Sequence, residues 1–190
     1  MVEIFWLGNS AIKIVTKESV IGINPKTGEG FDLILTSKAS DIKPTEEQFM
    51  ISTPGEYQAK SAMIYTLIED GARESKAFQL IVDGISFFYT DNLEFMPTKD
   101  QLDNMSTTDI AFIPLSVDKE KEKNIQKLTE AIEPRIVIPL ASDDEVSAEA
   151  CTMLAKTLGL KCEETVNSYK IKNKSQLPDD EQLFVSLDKV

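Results

Sequence analysis

The rhythm of the short apolar runs constrains the fold of this chain most. Through the first half, residues 2–7, 11–15, 20–24, 33–35, 49–52, 62–68, 78–82 and 85–89 form such runs, with Gly, Pro, Asn or Asp between many of them. Runs this short, loosely alternating and bounded by turn residues, predict strands. Asp83-Gly84 is the strongest hairpin signal among them, because both residues accept the positive φ that a tight hairpin turn requires. Residues 43–48 predict a turn or a brief helix opened by Pro44, and 53–57 a turn. Beyond residue 95 the rhythm changes. Thr98, with Gln101 three residues on, is a capping box that opens a short helix to about residue 105. Asp118 caps a helix whose apolar positions, Ile125, Leu128 and Ile132, recur at helical spacing until Pro134 ends it. Residues 110–114 and 135–139 read as buried strands, 146–158 as an amphipathic helix stopped by Gly159, and 169–171 and 183–187 as closing strands. Six to eight strands, then strands alternating with helices, define an α/β or α+β chain of layered sheets and helices. The pattern alone does not choose a fold.

At 190 residues the chain suits a single domain, 1–190, built of two halves near 1–95 and 96–190. A net charge of −12 argues against a nucleic-acid partner, whose phosphates need clustered Lys and Arg, and against anionic membrane surfaces. No apolar stretch reaches the ~20 residues of a membrane span. Met1-Val2-Glu3-Ile4 lacks the basic flank and apolar core of a signal peptide. Cys151 and Cys162 form no Cys-x-x-Cys pair, which fits free thiols in a reducing compartment, with a disulfide between them as the minor alternative. The expected localisation is therefore cytoplasmic.

The candidate chemistry follows the fourth run. Leu33-Ile34-Leu35 leads into Thr36-Ser37-Lys38-Ala39-Ser40-Asp41-Ile42, and the end of a strand is where α/β proteins keep functional groups. This loop resembles the Thr-His-x-His-x-Asp-His loop of the metallo-β-lactamase-fold hydrolases. Thr36 and Asp41 match it, while Ser37, Ala39 and Ile42 stand at its three histidines. Trp6-Leu7-Gly8-Asn9-Ser10 is similar to the Trp-x-Gly-His-Ser start of the small lactonase-like branch, Ile23-Asn24-Pro25 to its Ile-Asp-Pro, and Pro54-Gly55-Glu56-Tyr57 to its Pro-Gly-Glu-Tyr turn. Residues 84–102 resemble a segment carrying a metal-binding His-x-x-Asp, with Tyr89 and Asn92 at the ligand positions. Residues 132–139 resemble the strand before the last ligand histidine, whose place falls on Ala141, and Leu177-Pro178 resembles the closing segment. In this order and spacing the motifs identify a member of that superfamily. The resemblance implies a four-layer αββα sandwich, two central sheets with helices outside, and a site at one edge between the halves.

The departures from the family decide the functional expectation. Catalytic zinc takes three imidazole, thiolate or carboxylate ligands plus an open position, where bound water reaches a pKa of about 7. The chain contains no histidine, and Ser37, Ala39, Ile42, Tyr89, Asn92 and Ala141 occupy six ligand positions. Three of these side chains have no donor atom, and neutral oxygens are poor zinc ligands. Asn9 and Asn24 are neutral where the family orients or charge-balances its metals. Neutral groups relieve the repulsion that several carboxylates would suffer once the cation is gone. These changes together predict an adapted, metal-free pocket with no catalytic group and no cofactor. Its candidate lining is Asn9, Ser37, Asp41, Tyr89, Asn92 and Ser142.

Each candidate has a plainer reading. Asp41 is a residual acid, or it caps a turn through its own side chain. Tyr89 meets a ligand, or it packs its ring and wets its hydroxyl. Asp91, Glu94, Asp143 and Asp144 converge on Mg²⁺ or Ca²⁺, or they are solvated loop acids and a helix start. Ser37 has neither histidine nor a Ser-x-x-Lys pattern to activate it. The expected function is a pseudoenzyme acting as a structural or interaction subunit, alone as a homo-oligomer or beside a paralogue. The alternatives are a small-molecule binder using the old cleft and, more weakly, a hydrolase with a repurposed carboxylate site.

Overall fold

Gly8 at φ 95° and Asn9 at φ 51° turn the chain back after its first strand, β1 (Val2–Gly8), into β2 (Ala11–Val15). The computed structural model describes residues 1–69, 72, 74–116, 118–140, 152, 155, 156, 158–162, 165–179 and 181–190. β3 (Val20–Ile23) continues the antiparallel meander, and β4 (Leu33–Leu35) and β5 (Phe49–Ile51) join parallel to it. β13 (Tyr169–Ile171) closes this six-stranded sheet against β1, giving the order β13-β1-β2-β3-β4-β5.

The larger sheet begins as a second meander of β6 (Glu56–Ala59), β7 (Ala62–Leu67), β8 (Ala77–Val82) and β9 (Ile85–Thr90). Asp83 at φ 50° and Gly84 at φ 76° make the β8–β9 turn that the dipeptide predicts. Parallel strands β10 (Ile110–Pro114), β11 (Ile136–Leu140), β14 (Leu183–Phe184) and β12 (Lys161–Cys162) then extend it to eight, in the order β12-β14-β11-β10-β9-β8-β7-β6. β6 and β12 were not predicted as strands. Glu56 to Ala59 alternates exposed Glu56 and Gln58 with half-buried Tyr57 and Ala59 at a sheet edge, so no apolar run announces it.

Strand alternation sorts the side chains into two cores. Val2, Ile4, Trp6, Leu33, Leu35, Phe87, Tyr89 and Phe112 fill the space between the sheets. From the opposite face of the larger sheet, Phe88, Ala111, Ile113 and Val137 meet Ile125, Leu128 and Ile132 of α2 (Lys119–Ile132). β9 is therefore buried along both faces. Thr98 caps α1 (Lys99–Asn104) through the expected box, and Asp118 caps α2 by accepting from Glu120 N at 2.8 Å. Most of the helix expected over 146–158 lies outside the described residues; at its end Gly159 takes φ 69° and Leu160 N donates to Ala155 O at 2.8 Å.

Among the described residues, both α-helices pack on the larger sheet, and loops cover the outer face of the smaller one. The Phe31 ring lies on Gly22, where a Cβ would come within 2.8 Å of it. Residues 43–48 stay in turns, because the Gln48 carboxamide donates to Phe31 O (2.8 Å) and accepts from Thr45 N (3.0 Å). No helix among the described residues is long and apolar enough to cross a membrane.

Candidate functional site

β3 and β4 run parallel, as do β9, β10 and β11, and the carboxyl ends of both sets come together at one edge of the sandwich. Ligand sites of open sheets lie at such ends. Asn24, the first residue past β3, takes the left-handed backbone at φ 48°, which asparagine tolerates better than most residues. Its backbone N donates to Leu35 O (2.8 Å), and its side-chain Oδ1 accepts from Ser37 N (2.8 Å), so the carboxamide extends the β3–β4 ladder by one rung.

The two hydrogens of Asn24 Nδ2 go to Ser37 Oγ (2.8 Å) and Tyr89 OH (2.7 Å). Each hydroxyl passes its own proton on. Ser37 donates to Asp91 Oδ2 (3.0 Å), and Tyr89 donates to Ser10 O (2.8 Å). The network thus joins the β1–β2 turn, the ends of β3 and β4 and the end of β9, across the gap between the sheets. Lys38 Nζ reaches the same Asp91 oxygen at 2.8 Å; the lysine side chain is 72% exposed and the aspartate 6%. Burial, and then the charge of Asp91, push the Tyr89 phenol well above its ordinary value against the opposing pull of its hydrogen bonds, so it stays neutral. Tyr89 does not wet its hydroxyl: the residue is 1% exposed and packs at 5.9 Å from the Phe78 ring centroid.

Above this floor lies a cleft of about 170 Å³ lined by Ser10, Asn24, Pro25, Thr36, Lys38, Ala39, Ser40 and Asp91. Of the residues singled out in the sequence, Ser37 and Tyr89 meet through Asn24. Ala39 gives the cleft room where the related loop has a histidine. Asn9 is exposed in the β1–β2 turn, and its carbonyl accepts the Trp6 indole N–H at 2.8 Å. Asp41 is exposed, and Ser40 Oγ, not Asp41, accepts from Ile42 N (3.3 Å). Asn92 Oδ1 accepts from Glu94 N (3.0 Å), which closes the turn after β9. Ile42 packs outward: a Cβ on Gly28 would lie 3.0 Å from Ile42 Cγ2 and 3.5 Å from Ile34 Cδ1. Ala141, Ser142, Asp143 and Asp144 lie outside the described residues. Asp91, weighed in the sequence as a cation-binding acid or a solvated loop acid, is instead a buried carboxylate of the cleft, and Ser10 and Lys38, which the sequence did not single out for the pocket, line it beside Asp91. The pairing of β3 with β4 and the docking of the sheet that carries β9 bring residues 13 to 79 apart in sequence together here.

A family model described as the beta-lactamase superfamily domain matches residues 3–141. The chain belongs to that family. Among solved structures, a candidate Zn-dependent hydrolase of the metallo-beta-lactamase superfamily from Thermotoga maritima superimposes with a TM-score of 0.77 at 15% identity, covering 100% of both chains. A metallo hydrolase from the archaeon Ignicoccus hospitalis gives 0.61 at 11% identity over 99% of this chain and 95% of its own. The metallo-beta-lactamase fold protein YhfI from Bacillus subtilis gives 0.60 at 7% identity over 100% and 97%. No match is found among curated proteins. At these identities the neighbours establish the fold, the αββα sandwich of the metallo-β-lactamases.

Among the described residues, the donor set at this edge does not fit the metal that the fold implies. Ala39 and Ile42 carry no donor, Asn92 Oδ1 is used by Glu94 N, and the Tyr89 phenol is held neutral. Among the described residues Asp91 is the one carboxylate on the cleft lining, and it faces an ammonium and a hydroxyl. Among the described residues no three His, Cys, Asp or Glu side chains are grouped to hold a metal ion.

Proposed function

We propose that this chain is a non-catalytic member of the metallo-β-lactamase superfamily, a pseudoenzyme serving as a structural or protein-interaction subunit. The observation that carries this reading is the closed network of Asn24, Ser37, Tyr89 and Asp91, in which groups at and beside former ligand positions bond one another. Hydrolysis in this fold needs a cation with an open position to make hydroxide near pH 7, and the chain has no imidazole to hold one. Its partner on this reading is a second copy or a paralogous chain. A net charge of −12 favours neither nucleic acid nor an anionic membrane, and its two cysteines suit a reducing cytoplasm. Turnover assays test the proposal, with lactone, β-lactam and phosphoester substrates and added Zn²⁺, Mn²⁺ or Mg²⁺. The expected rate is that of the buffer. Metal-dependent turnover that Asp91→Asn abolishes would overturn it.

A second reading, a small-molecule binder that keeps the old cleft, is favoured by the space beside Ala39 and Thr36. A ligand that binds only the folded chain raises its melting temperature by mass action. A metabolite panel that leaves the melting temperature unmoved argues against this reading.

A further inference from the structure

We infer that the cleft is a binding site for a small primary alkylammonium ligand, with Asp91 as its anchor and Lys38 as its built-in occupant. The inference rests on the metal-free reading of the site. The Asp91 side chain is 6% exposed, and its Oδ2 takes a neutral donor, Ser37 Oγ, at 3.0 Å and a charged one, Lys38 Nζ, at 2.8 Å. A carboxylate this buried needs a cationic partner, since one hydroxyl does not replace lost hydration. The cation it has is a poor fixture. Lys38 sits on a loop, its side chain is 72% exposed, and its four-carbon stem must give up rotamer freedom to hold the ammonium in place. A free amine of the same chemistry satisfies Asp91 without that stem.

The remaining walls suit such a ligand. The cleft's 170 Å³ equals the space of five or six waters at about 30 Å³ each, enough for an ammonium on a short chain. Ser10, Asn24 and Ser40 supply polar walls, and Ala39 and Pro25 supply apolar surface for the chain. Thr36 also lines it, is 3% exposed, and its Oγ1 has no hydrogen-bond partner among the described residues. An ammonium brings three donors, one for Asp91 and two for oxygens of the polar walls or for water. Lys38 competes from a short tether, at an effective concentration in the millimolar range, so the natural chain binds amines weakly. Thr36 and Ser37 stay held by Ile51, Asn24 and Asp91, so displacing Lys38 frees the loop beyond them and couples amine binding to the conformation of residues 38–42.

The test is a titration with n-butylammonium, which copies the Lys38 side chain, followed by the backbone amide resonances of Ser37 and Asp91. Lys38→Met, which keeps most of the stem, is expected to saturate at a concentration at least about tenfold below the natural chain, because the tethered competitor is gone. Sodium at equal ionic strength and n-butanol are expected to leave the resonances unmoved, and Asp91→Asn in the Lys38→Met background to remove the response. Lys38→Gln serves as the second variant. No saturable response in either variant, equal affinity with and without Lys38, or a response that survives Asp91→Asn overturns the inference. Stoichiometric metal in the purified chain would defeat the metal-free reading, whereas failed amine binding to metal-free protein defeats this one alone.

Discussion

Asn24 makes three of the four hydrogen bonds its carboxamide allows on the cleft floor, and it does so from a left-handed backbone. Asn24→Ala removes three part-buried hydrogen bonds at about 1 kcal/mol each and adds about 1 kcal/mol of backbone strain. A loss of about 4 kcal/mol in urea unfolding is therefore expected, and a loss below about 1 kcal/mol would show that the network is slack. Tyr89→Phe keeps the ring among Phe78 and Phe112 and removes only the hydroxyl, at about 1–2 kcal/mol. The same residue sets a pH dependence. Its phenol is raised in the folded chain by burial, so the unfolded chain releases that proton first. The stability from Tyr89 is complete below the unfolded value near pH 10 and declines as pH rises past it, at up to about 1.4 kcal/mol per unit. Unfolding at pH 8 and pH 11 should show a larger alkaline loss in the natural chain than in Tyr89→Phe. Equal losses would mean that the phenol ionises freely.

The elements divide by how locally they are determined. The β8–β9 hairpin is legible because Asp83 and Gly84 alone specify it, and φ 76° at Gly84 gives Gly84→Ala an expected cost of about 1 kcal/mol, read from the urea midpoint. The Thr98 box and the Asp118 cap are equally local, and both helices start where their caps predict. β6 is not legible, because an edge strand of Glu, Tyr, Gln and Ala is held by pairing with β7, not by its own pattern. The site divides in the same way. The ligand positions are visible in the order of motifs, but the contact of Ser37 with Asp91 spans 54 residues and depends on two sheets docking face to face. Asp41 draws attention in the sequence because it matches a motif, whereas Asp91 matches none and lies in the cleft. Ile42 illustrates the cause: with an apolar side chain at a ligand position of the motif, it packs beside Ile34 on the outside of the smaller sheet.

Across the molecule, the two ends of the parallel strands carry different polar clusters. At the amino end Asp109, 1% exposed, accepts from Ser86 N (2.9 Å) and pairs with Lys174 (2.8 Å), tying β9 to the start of β10 and to the C-terminal segment. At the carboxyl end, where the fold elsewhere carries metals, hydrogen bonds from Asn24 to Ser37 and Tyr89 join the sheets. The docking of one sheet on the other is thus held by apolar burial between them and, at their rim, by the hydrogen bonds of Asn24, Ser37 and Tyr89 and the contacts of Asp91 with Ser37 and Lys38. On the proposed reading, Lys38 supplies the positive charge at this rim and no metal ion is required. Elemental analysis of the chain purified from its native source, without added metal or chelator, tests this most directly. The account predicts zinc, iron and manganese far below one atom per chain. One or two tightly held transition-metal ions per chain would contradict it.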